Sequence, residues 1–122
     1  MLLKTVNELI GTKREAVGDG WASRRFLTAE DGFPFSVHET TVAAGTEIRM
    51  NYTTHSETVY CLDGKASVEN VADKKIMPIK SGTFYSVGIG EEHVLRIERD
   101  TKFICIFDPP LSSDETADGT SG

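Results

Sequence analysis

Two stretches of the sequence place a side chain able to bind a metal or move a proton between glycines at regular spacing. In the first, Gly45 is followed by five residues, then Asn51, one residue, Thr53, three residues, Glu57, six residues and Gly64. In the second, Gly82 is followed by five residues, Gly88, one residue, Gly90, two residues and His93. The glycines punctuate short apolar runs that read as strands, and on neighbouring strands Glu57 and His93 could face a common cavity. Two ligands hold a transition metal poorly. Tyr85 sits between Gly82 and Gly88, and because alternate residues of a strand share a face, its phenol could reach the same cavity. Carboxylate, imidazole and phenolate form a hard donor set. It suits iron ahead of manganese or zinc and leaves positions open for a substrate. Taken singly, each residue has an ordinary role: Glu57 as a solvent-facing carboxylate, His93 as a surface histidine beside Glu91 and Glu92, Tyr85 as a core aromatic with its hydroxyl at the rim. His55, two residues before Glu57 and so on the same face, is an alternative ligand, and His38 is expected to line or brace the cavity.

The elements that must position these groups are short and mostly β. Strands are expected over 24–28, 33–42, 46–52, 57–62, 65–71, 75–79, 83–87, 93–98 and 102–107. Gly45, Asp63-Gly64, Asp73-Lys74, Ser81-Gly82 and Gly88-Ile89-Gly90 separate them. Within 33–42, Ser36, His38 and Thr40 share one face and Phe35, Val37 and Glu39 the other. Thr5 to Gly11 carries a Thr-x-x-Glu capping box and a glycine stop, which predicts one short helix. Many short strands at turn-bounded spacing predict an all-β sandwich or closed barrel, and closure removes exposed strand edges. Residues 1–111 are expected to form a single domain. Residues 112–122, made of Ser, Asp, Glu, Thr, Ala and Gly, form an expected flexible tail.

The chain has 122 residues, a net charge of −6 and a pI near 5.0, a balance that argues against nucleic-acid binding. No apolar run approaches the roughly 20 residues of a membrane helix. Met1-Leu2-Leu3-Lys4 lacks the features of a signal peptide, which predicts a cytoplasmic protein. Cys61 and Cys105 lie in apolar runs and make neither a CxxC pair nor a disulfide framework.

The two spacings together resemble the paired motifs of the cupin barrel. Asn51 and Thr53 replace the two histidines of the first motif, and Gly88 and Ile97 replace the proline and asparagine of the second. A more specific likeness spans residues 1 to about 115. Trp21-Ala-Ser23-Arg24-Arg25, Asp31-Gly32-Phe-Pro-Phe-Ser36-Val-His38-Glu-Thr40-Thr41, His55-Ser-Glu57-Thr-Val-Tyr60-Cys61, Pro78-Ile-Lys-Ser-Gly82-Thr-Phe-Tyr85 and Cys105-Ile-Phe107-Asp-Pro-Pro-Leu111 resemble ectoine synthase. That family consists of iron-dependent cupins, usually homodimers, which close N-γ-acetyl-L-2,4-diaminobutyrate to the compatible solute ectoine with loss of water. The resemblance implies Fe(2+) held by Glu57, Tyr85 and His93. It implies substrate contacts from Trp21, Ser23, Arg25, Thr40, Tyr52, Cys105, Phe107 and Glu115. The ring closure needs a neutral α-amine, and Tyr52 or Glu115 could take its proton. Arg25 could pair with the substrate carboxylate through its two-pronged guanidinium. The chain departs from the family at Asp108, at Gly88-Ile-Gly90 and after Glu115. The alternatives are another small metal-dependent cupin lyase, or a non-catalytic cupin that binds a compatible solute.

Overall fold

The computed structural model describes residues 1–113. A short helix α1 (Val6–Leu9) opens the chain behind the expected capping box at Thr5 and Glu8. Eight strands follow: β1 (Glu15–Gly18), β2 (Trp21–Leu27), β3 (Ser36–Val42), β4 (Glu47–Met50), β5 (Ser56–Asn70), β6 (Ile76–Lys80), β7 (Phe84–Val87) and β8 (His93–Asp108). All pair antiparallel, in the order β1-β2-β3-β8-β5-β6, with β4 added to β8 and β7 to β5. This is the all-β architecture expected. The face assignment of β3 also holds, with Ser36, His38 and Val42 buried.

Three local expectations need correction. β1 is a strand that the sequence reading left out; its four residues pair with Trp21–Arg24 but show no apolar alternation. The separate strands expected over 57–62 and 65–71 are one strand, β5, and those over 93–98 and 102–107 are one strand, β8. Asp63-Gly64 signals a turn in sequence, but in the fold it is the site of consecutive register shifts between Cys61 and Ala66. Gly64 has φ +141°, and a Cβ there would collide with the side chain and backbone of Thr101. The glycine lets two strands bulge and bend against each other without ending either.

The bent β5–β8 ladder is what closes the barrel. Its first half, Ser56–Cys61 against Phe103–Asp108, joins β2, β3 and β7. Its second half, Ala66–Asn70 against His93–Ile97, joins β4 and β6. Val59, Cys61, Phe103 and Phe107 from the first half meet Ile48, Val68, Leu95 and Ile97 from the second in one core.

The rim near the chain start is tied by charge. Arg14 donates from Nη1 and Nη2 to the two oxygens of Asp31, at 2.9 and 2.8 Å, and the Thr28 amide donates to Asp31 at 2.9 Å. The Arg14 fork leads in holding the Asp31 carboxyl down to about 2 from its ordinary 3.8. A carboxylate with a depressed folded pKa stabilises fully above the unfolded value and loses that contribution as pH falls from about 4 to 2. Asp31→Asn is therefore expected to lower unfolding free energy at pH 7 by about 1–3 kcal/mol. It should also flatten the acid limb of stability in that window, as read by urea titration at several pH values.

Candidate active site

Strand register stacks the inward side chains in layers along the first half of the barrel. At one end Ser36, Phe107, Glu57 and Val87 lie side by side on β3, β8, β5 and β7. One layer in come Arg25, His38, Cys105, Val59 and Tyr85. Next are Ser23, Thr40, Phe103 and Cys61, and Trp21 and Val42 close the far end. This alternation puts Trp21, Ser23, Arg25, Thr40, Cys105, Phe107, Glu57 and Tyr85 on one cavity together with Tyr52. The structure thus brings together all the described residues expected to contact substrate. Glu115 lies outside the described residues.

His93 approaches from the second half of the barrel. It starts β8 opposite Met50 and Asn70 and lines a smaller cavity that shares Tyr85 with the main one. Its Nδ1–H donates to the Glu91 carbonyl at 2.9 Å, which leaves the Nε2 lone pair available. Nε2 lies 3.8 Å from Glu57 Oε1. Both atoms are buried without a hydrogen-bond partner among the described residues. Tyr85 completes the group, with its ring centroid 6.2 Å from that of His93.

The electrostatics of this corner favour a cation. Burial first, then the Glu57 carboxylate, pushes the Tyr85 phenol well above its ordinary value. The same pair of causes raises Cys105, whose Sγ sits 3.7 Å from Thr40 Oγ1. Tyr52 is raised likewise by burial and Glu57; its ring packs edge-on to Phe107 at 4.9 Å. Three acidic groups are thus held protonated around one buried carboxyl. A positive ion beside them would reverse that balance and satisfy the orphaned oxygen and nitrogen at once. Glu57, Tyr85 and His93 therefore fit a metal. No set of three or more His, Cys, Asp or Glu side chains able to hold one occurs among the described residues.

The opposite wall, from β2 and β3, carries hydrogen-bond donors: Trp21, Ser23, Arg25 and Thr40. Arg25 is 2 % exposed, and its Nη1 donates to the Ser112 and Ser113 carbonyls at 2.9 and 3.1 Å. Those bonds, with Leu111 N–H to Ser36 Oγ at 3.0 Å and Ala29 N–H to the Leu111 carbonyl at 2.7 Å, strap residues 111–113 across the Glu57 end of the barrel. His55 does not line the cavity. Its Nδ1–H donates to the Pro109 carbonyl at 2.6 Å and braces the same strap. His38 does line it, as expected. Ile48, Met50, Leu95 and Phe103 supply apolar walls that the sequence reading did not name as site residues. Their alternation along β4 and β8 was the available signal.

A family model described as Ectoine synthase matches residues 1–122. The L-ectoine synthase of Halalkalibacterium halodurans is 42% identical over 118 residues, covering 97% of this chain and 92% of the relative. That of Sporosarcina pasteurii is 44% identical over 119 residues, covering 97% and 89%. The crystal structure of an ectoine synthase from P. lautus superposes with a TM-score of 0.88 at 36% identity, covering 93% of this chain and 81% of that one. An RmlC-like cupin from Shewanella frigidimarina, 20% identical with a TM-score of 0.66, shares the fold.

Proposed function

The chain belongs to the ectoine synthase family and carries its ring-closing hydro-lyase activity; we propose that the cavity closes N-γ-acetyl-L-2,4-diaminobutyrate to ectoine with loss of water, with Glu57, Tyr85 and His93 holding the metal the reaction needs. The observation that carries this reading is Glu57 Oε1 and His93 Nε2, two buried atoms with no hydrogen-bond partner among the described residues, 3.8 Å apart beside Tyr85, which lines both adjoining cavities. The hard donor set supports iron(II). A cation there supplies Lewis acidity to the amide carbonyl.

The chain's own residues do the rest. In the reaction the α-nitrogen bonds to the acetamide carbon, the carbon–oxygen bond breaks, and the two amine protons leave with that oxygen as water. Binding the substrate folded inside a closed barrel brings amine and carbonyl together, which replaces an encounter in solution with a positioned one. The donor wall of Trp21, Ser23, Arg25 and Thr40 suits the substrate carboxylate, and the far wall of Glu57, Tyr85 and Cys105 suits the amide. Tyr52, a protonated phenol in this environment, donates toward the departing oxygen, and Glu115 accepts the amine proton. Phe107 and Trp21 exclude bulk water, which would drive the reverse reaction.

Two further features belong to the same reading. Tyr60, Leu62, Phe84 and Ile106 are exposed on adjoining strands, Tyr60 directly opposite Phe84, and this outward apolar face supports a homodimer. Two free, buried cysteines suit the reducing cytoplasm, where the product would serve against osmotic stress. No helix among the described residues is long and apolar enough to cross a membrane. The test is to purify the protein anaerobically, measure bound metal, and follow the acetylated diaminobutyrate by proton NMR. Ring formation that disappears together with the metal in His93→Ala supports the assignment. Turnover that persists after the metal is stripped overturns it.

A further inference from the structure

The imidazole that offers Nε2 toward Glu57 is held from behind by the turn that leads into β8. His93 Nδ1–H donates to the Glu91 carbonyl at 2.9 Å. A carbonyl only accepts, so this bond fixes the proton on Nδ1 and leaves Nε2 bare. The aim of the ring therefore depends on where the Glu91 carbonyl stands. The side chain of the same residue folds back onto its own turn. Gly88 N–H donates to Glu91 Oε1 at 2.6 Å, and Glu91 N–H donates to the Gly88 carbonyl at 3.2 Å. Glu91 thus grips Gly88 by both its amide and its carbonyl. The carboxylate bond is charge-assisted, the stronger kind. Glycine at 88 leaves room for it, since an added Cβ would stand 3.0 Å from Oε1. Outside this loop, Gly90 N–H donates to the Tyr52 carbonyl at 2.8 Å, and Val71 N–H donates to the Glu92 carbonyl at 3.1 Å. Those two bonds fix where the turn lies, and the Glu91 carboxylate fixes its internal shape. Glu91 is exposed, yet it lines the smaller cavity beside Tyr85 and His93.

We propose that Glu91 is a positioning residue for the metal: its carboxylate closes the turn at Gly88, and its carbonyl thereby holds His93 as the Nδ1–H tautomer with Nε2 aimed at the corner shared with Glu57 and Tyr85. It acts through His93, as the outer partners of metal-binding histidines do. The inference rests on the proposed metal for its purpose, but every bond that carries it is made within the protein.

Two variants separate the turn from the charge. Glu91→Ala removes the carboxylate and keeps the backbone carbonyl. Glu91→Gln keeps an oxygen for the Gly88 amide and removes the charge. Iron(II) affinity, measured anaerobically against a competing chelator, should fall roughly ten- to a hundredfold in Glu91→Ala. In Glu91→Gln it should stay within a few-fold of the parent. In metal-free protein labelled with 15N-histidine, His93 should carry its proton on Nδ1 in the parent and in Glu91→Gln, and should become a mixture of tautomers in Glu91→Ala. A residue that only stabilised the fold would lower the thermal midpoint and leave the tautomer alone. Unchanged iron(II) affinity in Glu91→Ala overturns the inference. So does an affinity in Glu91→Gln as low as in Glu91→Ala, which would make the charge and not the turn the cause. Should Glu91→Ala fail to fold, the other two proteins decide. Nδ1–H at His93 in both, with matching iron(II) affinities, supports the inference, and an Nε2–H parent overturns it. If the parent takes up no iron(II), it is the proposed ligand set that fails, and the His93 tautomer in the three proteins still tests whether Glu91 positions the ring.

Discussion

Glu57→Gln is expected to lose bound metal and to lower turnover by about a thousandfold or more, the scale of several kcal/mol that a Lewis acid contributes to a polarised carbonyl. The substitution keeps shape and volume and removes only the charge-bearing donor. Its effect on stability should go the other way from its effect on activity. In the metal-stripped protein Glu57 is a 4 % exposed carboxyl with an orphaned oxygen, set between His93, Tyr85 and Cys105. A buried acid whose ion-pair partner, His93 Nε2, stands 3.8 Å away recovers little of its desolvation cost, so Glu57→Gln without metal should unfold at about the same or a higher temperature than the parent. Adding metal should then raise the midpoint of the parent and leave that of the variant unchanged, since only binding to the native state shifts the equilibrium. Calorimetric scans of both proteins with and without iron(II), beside metal analysis and NMR turnover, read every part of this. A variant that keeps full metal would remove Glu57 from the ligand set.

Arg25→Lys should reduce kcat/KM by about a hundredfold or more, although it keeps the charge. Lysine offers a compact point charge in place of a planar fork, and Arg25 uses its fork on two sides. Nη1 bridges the Ser112 and Ser113 carbonyls, while the side chain lines the cavity. One ammonium cannot hold the strap and meet a carboxylate in the same geometry. The strap should loosen too, with faster limited proteolysis around residues 111–113 and unfolding free energy lower by about 2–4 kcal/mol for the lost buried bonds of a charged donor. Kinetics within a few-fold of the parent would place the substrate carboxylate elsewhere.

The three proposed metal donors illustrate how far the sequence could be followed. Glu57 and Tyr85 sit on strands adjacent in the sheet, and the β5–β7 register brings Val59, two residues after Glu57, opposite Tyr85. The substrate wall came from the family resemblance; the β2–β3 register, in which Ser23 meets Thr40 and Arg25 meets His38 directly across the ladder, belongs to the fold. His55, the alternative ligand, stands apart from the cavity. It lies just before β5 begins, where its Nδ1–H donates to the Pro109 carbonyl.

By itself, the sequence determined the all-β class, the capped first turn, the inward side of β3, and the chemistry available at Glu57, Tyr85 and His93. Period-two alternation and glycine turns are local properties, and local properties survive in one dimension. Only the tertiary structure decided that Asp63-Gly64 bends a strand instead of ending it, because the reason is the approach of Thr101 from a strand 37 residues on. That bend folds one long ladder over on itself. Glu57 pairs at one end of it with Phe107 and His93 at the other with Asn70, yet their side chains finish 3.8 Å apart. No spacing rule contains that meeting; it follows from closing the sheet into a barrel.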